Sequence, residues 1–341
     1  MKRNTRRRTR NLKRQTLLCR KRSYRNYLGR LGVRTRRGNH RRVRNRARQT
    51  PATRKIANPG IQMTTPAIFN LRKNREPMLR FYDELRGAIA EKRMATILMD
   101  DITDVSIGSL LYLVAIIVDA RQNKVQVSGT VPHDRRCAAI IDSSGFFDFV
   151  HAVNRQRPKV RMNIAKITYH KKHDTRAIKE LCEFVCGSIG KDMSKDAEPL
   201  FATLSELVQN TIGHAYKDMG SNGQWYVAAE HLKEENAVEV TFLDTGAGIP
   251  ATVHRRIYEL IPNPFAGKDE QLIMSALKGD LRTSTGKRYR GKGLPEIYGY
   301  SNKGDIRELA IASGRGYIYR NQPYHLDNEF FGTLFSFRIG G

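Results

Sequence analysis

Glu206 and Asn210 stand four residues apart in the stretch EPLFATLSELVQNTIGHAY, Glu198 to Tyr216. On a helix that spacing stacks them on one face. A carboxylate base and a neutral amide oxygen one turn apart suit a site that takes a magnesium-bound nucleotide and activates a hydroxyl. Two solvated residues on a surface helix explain the pair equally well when it is considered alone. A second group begins at Asp244, which ends the apolar run Ala237 to Leu243 and precedes Thr245-Gly246-Ala247-Gly248-Ile249-Pro250. An ionised carboxylate only accepts hydrogen bonds, and the amino group of adenine only donates them. Gly246 and Gly248 let the backbone approach a base and adopt positive φ. A third group, Gly291-Lys292-Gly293, precedes a predicted helix start, where free N–H groups and the helix dipole favour phosphate, with Lys292 or Arg290 adding charge. In that arrangement Asn210 offers Mg²⁺ one oxygen, with phosphates and waters completing the octahedron. Glu206 takes a proton from the attacking water or hydroxyl.

These residues need rigid supports. Leu204, Leu207, Val208 and Ile212 give the Glu198–Tyr216 helix an apolar stripe. A helix is expected at Asp174 to Ser188, and a strand hairpin at Gln224 to Leu232 and Ala237 to Leu243. The 251–290 connection is charged and of lid length, with a helix at Asp269 to Lys278. Three strand runs close the chain: Glu308 to Ala312, Gly316 to Arg320 and Gly332 to Ile339. Upstream, strand and helix alternate. A helix at Met78 to Ala90 precedes a strand at Ala95 to Met99, a buried helix at Ser106 to Asp119, a strand at Lys124 to Ser128 and a helix at Arg135 to Asp142. That is an α/β layer pattern. An extended segment, Val160 to Thr168, joins the two regions, with His170 and His173 read as solvated.

The ordered set Glu206-Leu207-Val208-x-Asn210, Asp244-Thr245-Gly246-Ala247-Gly248-Ile249-Pro250, Gly291-Lys292-Gly293-Leu294 and a terminal Gly-Thr strand resembles the GHKL ATPase superfamily over about 176–341. The resemblance implies an α/β sandwich holding ATP between a helical layer and a lid. Glu206 matches the catalytic base, Asn210 the Mg²⁺ ligand and Asp244 the adenine-binding aspartate. Gly246 and Gly248 match the first glycine box, and Gly291, Gly293 and Leu294 the second. Thr333 matches the threonine that supports the aspartate. Asn210-x-x-x-His214-Ala215 looks most like the anti-sigma kinase branch. Residues 97–113, ILMDDITDVSIGSLLYL, resemble a STAS domain, the fold of anti-sigma antagonists, over roughly 67–150. One position departs: where signalling members carry a phosphoacceptor before the glycine, this chain has Ile107, with Ser106 one place earlier. Asp142-Ser143-Ser144-Gly145 spells the acceptor motif but follows a later helix and reads as a turn.

The net charge of +28 is unevenly placed. Residues 1–75 hold 26 Lys and Arg and no acidic residue; the remainder carries 35 basic against 33 acidic residues. Residues 1–57 are therefore expected to be disordered when free. Sequence-independent contact with nucleic-acid phosphates is one reading. A generic tail, or a true start at Met63, are the others; Pro51, Asn58-Pro59-Gly60 and Pro66 mark a linker. Cys182 and Cys186 lack a second pair at zinc spacing and read as free thiols in a reducing compartment. The longest apolar run, Ile107 to Val118, falls short of the about 20 residues a membrane span needs, so a cytoplasmic protein without a membrane segment is expected.

The expected plan is an Arg-rich tail and linker (1–62), a STAS-like α/β domain (63–150), a connector (151–175) and a GHKL-type α/β sandwich (176–341). The expected function is that of an Mg-ATP-dependent ATPase or switch, meeting a protein partner through the STAS-like domain. The alternatives are a protein Ser/Thr kinase acting on a STAS partner in trans, and a nucleic-acid-tethered nucleotide-binding module without turnover.

Overall fold

The computed structural model describes residues 60–153, 158, 160–215, 224–253, 268–280 and 293–340. The basic tail lies outside the described residues. The chain from Asn58 onward forms one compact unit. Its elements run β1 (Ile61–Thr64), β2 (Ile68–Phe69), α1 (Arg75–Ala90), β3 (Ala95–Leu98), β4 (Asp104–Val105), α2 (Ile107–Gln122), β5 (Val127–Gly129), α3 (Arg135–Ser143) and β6 (His151–Ala152). They continue with β7 (Ile164–His170), α4 (Thr175–Ile189), α5 (Glu198–Asn210), β8 (Trp225–Leu232), β9 (Ala237–Asp244), α6 (Asp269–Lys278), α7 (Gly293–Lys303), β10 (Arg307–Tyr319) and β11 (Gln322–Gly340). The architecture is mixed α/β.

The first half is a parallel sheet of order β1-β3-β5-β6. Its first strand corrects the reading of Asn58 to Pro66 as linker. Ile61–Thr64 pairs with Ala95–Leu98, and Met63 is buried mid-strand. The flanking prolines and glycine mask a strand of only four residues. The expected connector is likewise divided: β6 closes the parallel sheet, whereas β7 pairs with β8.

Helix α2 explains how the halves meet. Its Ser106 N-cap accepts a hydrogen bond from the Ser109 N–H at 3.3 Å. Almost every later residue through Val118 is apolar and buried, with no solvated stripe. A helix that is hydrophobic all round must be covered all round. Here it shares one core with Ile97 and Val127 of the parallel sheet and with Tyr226, Ala228 and Leu243 of the second half.

The second half is an antiparallel sheet, β10-β11-β9-β8-β7, covered on both faces. Side chains alternate along each strand. Val238, Val240 and Phe242 face the core shared with α4, α5, α6 and α7, while Leu243 faces α2. β8 divides the same way, Trp225, Val227 and Ala229 against Tyr226 and Ala228. The three predicted C-terminal runs are in fact two long strands. Residues 307–319 form one strand interrupted by bulges, and β11 begins at Gln322. Arg320 and Asn321, with φ of 48° and 64°, make the two-residue turn whose twist matches antiparallel strands. Polar residues such as Gln322, His325 and Asp327 hide that extension from a hydrophobicity pattern.

Among the described residues, no helix is long and apolar enough to cross a membrane.

Candidate functional site

Asp244 is the last residue of β9 and lies on the helix-covered face of the sheet, two residues after Phe242. Strand register puts Thr333 of β11 directly beside it. The Gly246 N–H donates to Asp244 Oδ1 at 2.8 Å, and the neighbouring Thr333 side chain favours the charged form of the same carboxyl. A carboxylate has about four acceptor positions, so capacity remains for a ligand donor. Burial raises the Asp244 pKa to about 7, despite the opposing effects of Gly246 and Thr333.

Ser313, next to Thr333 on β10, locks the glycine turn to the strands. Its hydroxyl donates to the Gly332 carbonyl at 2.8 Å, accepts the Ile249 N–H at 2.9 Å and lies 3.3 Å from Thr333 Oγ1. Gly248, with φ of +82°, and Gly332, with φ of +84°, need the left-handed region. Ser313 and Gly332 were not singled out as binding residues in the sequence. Their roles depend on pairing between strands, which leaves no local spacing signal; only the Gly-Thr dipeptide hints at Gly332.

Helix α5 packs Leu204, Leu207 and Val208 onto this same sheet face. Ile212 departs from the predicted stripe and is 43% exposed. The α-helix ends at Asn210, and Thr211–Ala215 form a wider π-type turn in which the Thr211 hydroxyl donates to the Leu207 carbonyl at 2.9 Å. The wider turn rotates Ile212 off the stripe.

Glu206 and Asn210 do share a face. The Asn210 amide lowers the Glu206 pKa, but burial, seconded by Glu296 of α7, dominates and holds it above the ordinary range. Asn210 Nδ2 is buried without a hydrogen-bond partner among the described residues, so its effect on Glu206 is one of proximity rather than of a well-formed bond. The first residue of α7, Gly293, lies against Glu206. A Cβ there would fall 1.7 Å from Glu206 Oε1. Leu294 packs against the core beneath. Gly291, Lys292 and Arg290 lie outside the described residues, as do 254–267 and 281–290 of the expected lid.

The donor set fits a nucleotide with Mg²⁺. Asp244 keeps acceptor capacity, the Asn210 N–H group without a partner among the described residues can donate to a phosphate oxygen while its Oδ1 is the atom that would face Mg²⁺, and the chain approaches Glu206 closely at Gly293, where a Cβ would force the Glu206 side chain to move.

Other marked residues are structural. The Ser144 hydroxyl is fully buried and donates to the Ile141 carbonyl at 2.7 Å, as a turn residue would. Cys137, Cys182 and Cys186 are buried free thiols. His170, expected to be solvated, stacks on Trp225 with ring centroids 4.3 Å apart and meets Asp174 at 3.2 Å. The apolar–aromatic pairing arises only when β7 joins β8.

A cavity of about 260 Å³ opens on the opposite sheet face, between Asn70–Lys73, the start of α2 and residues including Glu230, Glu239 and Arg338. Glu230 and Glu239 are directly opposed across β8 and β9. Arg72 pairs with Glu239 at 3.3 Å. Burial, then Glu239, raises the Glu230 pKa from 4.5 to about 7. Between those values the native state binds more protons than the unfolded state, so stability falls as pH rises through this window. Asp244 acts in the same direction, and only a difference isolates Glu230. In urea unfolding, Glu230→Gln should shrink the stability gap between pH 5 and pH 8 by about 2–3 kcal/mol relative to the parent. An unchanged gap would exclude Glu230 as the source.

No protein-family model matches the sequence, and no curated protein matches it.

Proposed function

We propose that the chain is an Mg-ATP-binding ATPase or switch of GHKL type, coupled to a STAS-like interaction domain. The observation that carries this reading is the convergence of three groups on one sheet face. A buried acceptor, Asp244, is held by Thr333 and Gly246, and helix α5 packs on that face bearing Glu206 and Asn210. The start of α7 meets Glu206 at Gly293.

In this reading Asp244 accepts from the adenine amino group, and Gly246 and Gly248 let the base approach. Asn210 would hold Mg²⁺ through its side-chain oxygen, and Gly293, with Leu294 packed on the core below, would lie on the phosphate side; Gly291 and Lys292, outside the described residues, are assigned to phosphate from the sequence alone. Mg²⁺ supplies charge neutralisation at the phosphates. Glu206 is suited to accept a proton, because burial and the neighbouring Glu296 carboxylate raise its proton affinity. Phosphoryl transfer rests mainly on positioning and charge stabilisation, so the attacking hydroxyl belongs to water or to a protein. The STAS-like half is read as a docking surface rather than a phosphoacceptor. Ile107 is buried, and the Ser106 hydroxyl both caps α2 and donates to Ser109 Oγ at 2.9 Å. The basic residues 1–57 supply phosphate-backbone contacts to nucleic acid.

The test incubates the full chain with Mg-ATP, wild type beside Glu206→Ala, resolving free phosphate from phosphoprotein. Glu206→Ala should cut the product rate about 10²–10⁴-fold with ATP affinity nearly unchanged. Equal rates would remove Glu206 from the chemistry. Phosphoprotein in place of free phosphate would identify a kinase.

A further inference from the structure

β11 carries a defect beside the candidate site. Phe330 pairs with Gly314 and Thr333 with Ser313, so Phe331 and Gly332 bulge out of the β10–β11 ladder. A bulge removes strand partners from backbone groups, and a shielded N–H needs a replacement. The replacement comes from the other half of the chain. The Phe331 N–H donates to the hydroxyl oxygen of Tyr112, on α2, at 3.1 Å. Tyr112 also stacks on Phe330, with centroids 4.2 Å apart and planes 23° apart. Tyr82 of α1 meets Tyr112 edge-on at 4.7 Å and anchors its own hydroxyl on the Ser109 carbonyl at 2.8 Å. Within the bulge Gly332 accepts from Ser313, and just past it Thr333 supports Asp244.

We propose that Tyr112 is a positioning residue for the nucleotide site: from the buried helix of the STAS-like half, its hydroxyl fixes the Phe331–Gly332 bulge and so sets Thr333 against Asp244. This rests on the nucleotide-site reading for its functional consequence, whereas the mechanical link stands on the hydrogen bond and the strand register. Displacement of α2 by a partner at the STAS-like half would then alter the site through one short path of bonded atoms. The link is reciprocal, so nucleotide binding would favour one placement of α2.

The test uses the full chain carrying Tyr112→Phe, which keeps the ring stack and deletes the hydroxyl that accepts from Phe331 and faces Arg86. Tyr82→Phe, which loses the Ser109 bond without touching β11, is the control. Three measurements separate the outcomes. Amide hydrogen exchange at Phe331–Thr333 should accelerate at least about tenfold in Tyr112→Phe and not in the control, as expected when an amide loses its acceptor. The Asp244 carboxyl, followed by NMR titration without nucleotide, should titrate at higher pH as Thr333 loosens. The ATP dissociation constant should rise about five- to tenfold. Unchanged exchange, or faster exchange with unchanged Asp244 titration, would overturn the proposal. Failure of the wild type to bind ATP would defeat the nucleotide reading instead, with exchange and titration still reporting on Tyr112. If ATP binds and the first two measurements respond, an unchanged dissociation constant also overturns the proposal.

Discussion

Asp244→Asn is expected to abolish adenine-nucleotide binding, with affinity falling more than about 100-fold in calorimetry, because a site built on one polar pairing rejects the wrong partner strongly. The replacement keeps the shape of the side chain and changes its hydrogen-bonding character. Asparagine presents an NH₂ where a carboxylate oxygen stood, and the adenine amino group cannot donate to it. The buried position offers no water to compensate; Asp244 is 7% exposed. The wild type carries a second signature. With a pKa raised to about 7 by burial, Asp244 is only about a tenth ionised at pH 6. ATP affinity should therefore weaken about tenfold from pH 8 to pH 6. Stability runs the opposite way. A raised acid pKa favours the native state at low pH, and that contribution is lost as pH rises from the ordinary aspartate range through about 7. Asparagine removes that loss, so the variant should remain folded at pH 8 while failing to bind. Equal affinity in a folded Asp244→Asn protein would refute the adenine assignment.

Gly332→Ala is expected to be the most damaging single methyl group among the residues discussed, costing about 3–5 kcal/mol. Two penalties combine. The backbone has φ of +84°, where a Cβ is strained. The added Cβ would also sit 2.0 Å from the Asp244 carbonyl oxygen and 2.9 Å from the Asp244 carbonyl carbon. Both neighbours are backbone atoms of a paired strand, so relief requires β9 and β11 to separate. Thermal unfolding should shift down by about 6–15 °C, or the chain should fail to accumulate in folded form. Gly87→Ala provides the contrast. Gly87 is exposed on α1, and a Cβ there meets nothing within 4 Å. The same measurement should show a gain of up to about 1 kcal/mol, because alanine restricts the unfolded chain and favours the helix. A Gly332→Ala protein as stable as the parent would contradict the close packing of β11 on Asp244.

The residues that announced themselves in the sequence did so through local geometry. Glu206 and Asn210 needed only helical spacing, and Asp244 needed only the end of an apolar strand. Helix α2 was legible because a twelve-residue run with Ser109 as its one serine and no polar face must be buried. Features created by long-range pairing were not legible. Ser313 becomes part of the site only because β10 lies beside β11, twenty residues later at Thr333. β1 lies among linker-like residues, and its partner Ala95–Leu98 is more than thirty positions away. Ile212 fits an ideal α-helical period, and only the wider turn after Asn210 takes it out of the stripe. Glu296 is an ordinary first-turn acid of α7 until tertiary packing brings its charge to Glu206.

Helix α2 also bears on how this chain can be divided. Its apolar surface belongs to one continuous core that includes both sheets, and Gly108 is close-packed on Thr241, with a built Cβ 3.4 Å from the threonine methyl. Cutting between β6 and β7 would leave one fragment with an uncovered helix and the other with an uncovered sheet face. Such pieces are adhesive rather than independent. In this protein the parallel-sheet and antiparallel-sheet halves are thus not interchangeable modules joined by a tether. They would have to be inherited, folded and degraded together, and any fusion that transplants one half must carry the surface of the other.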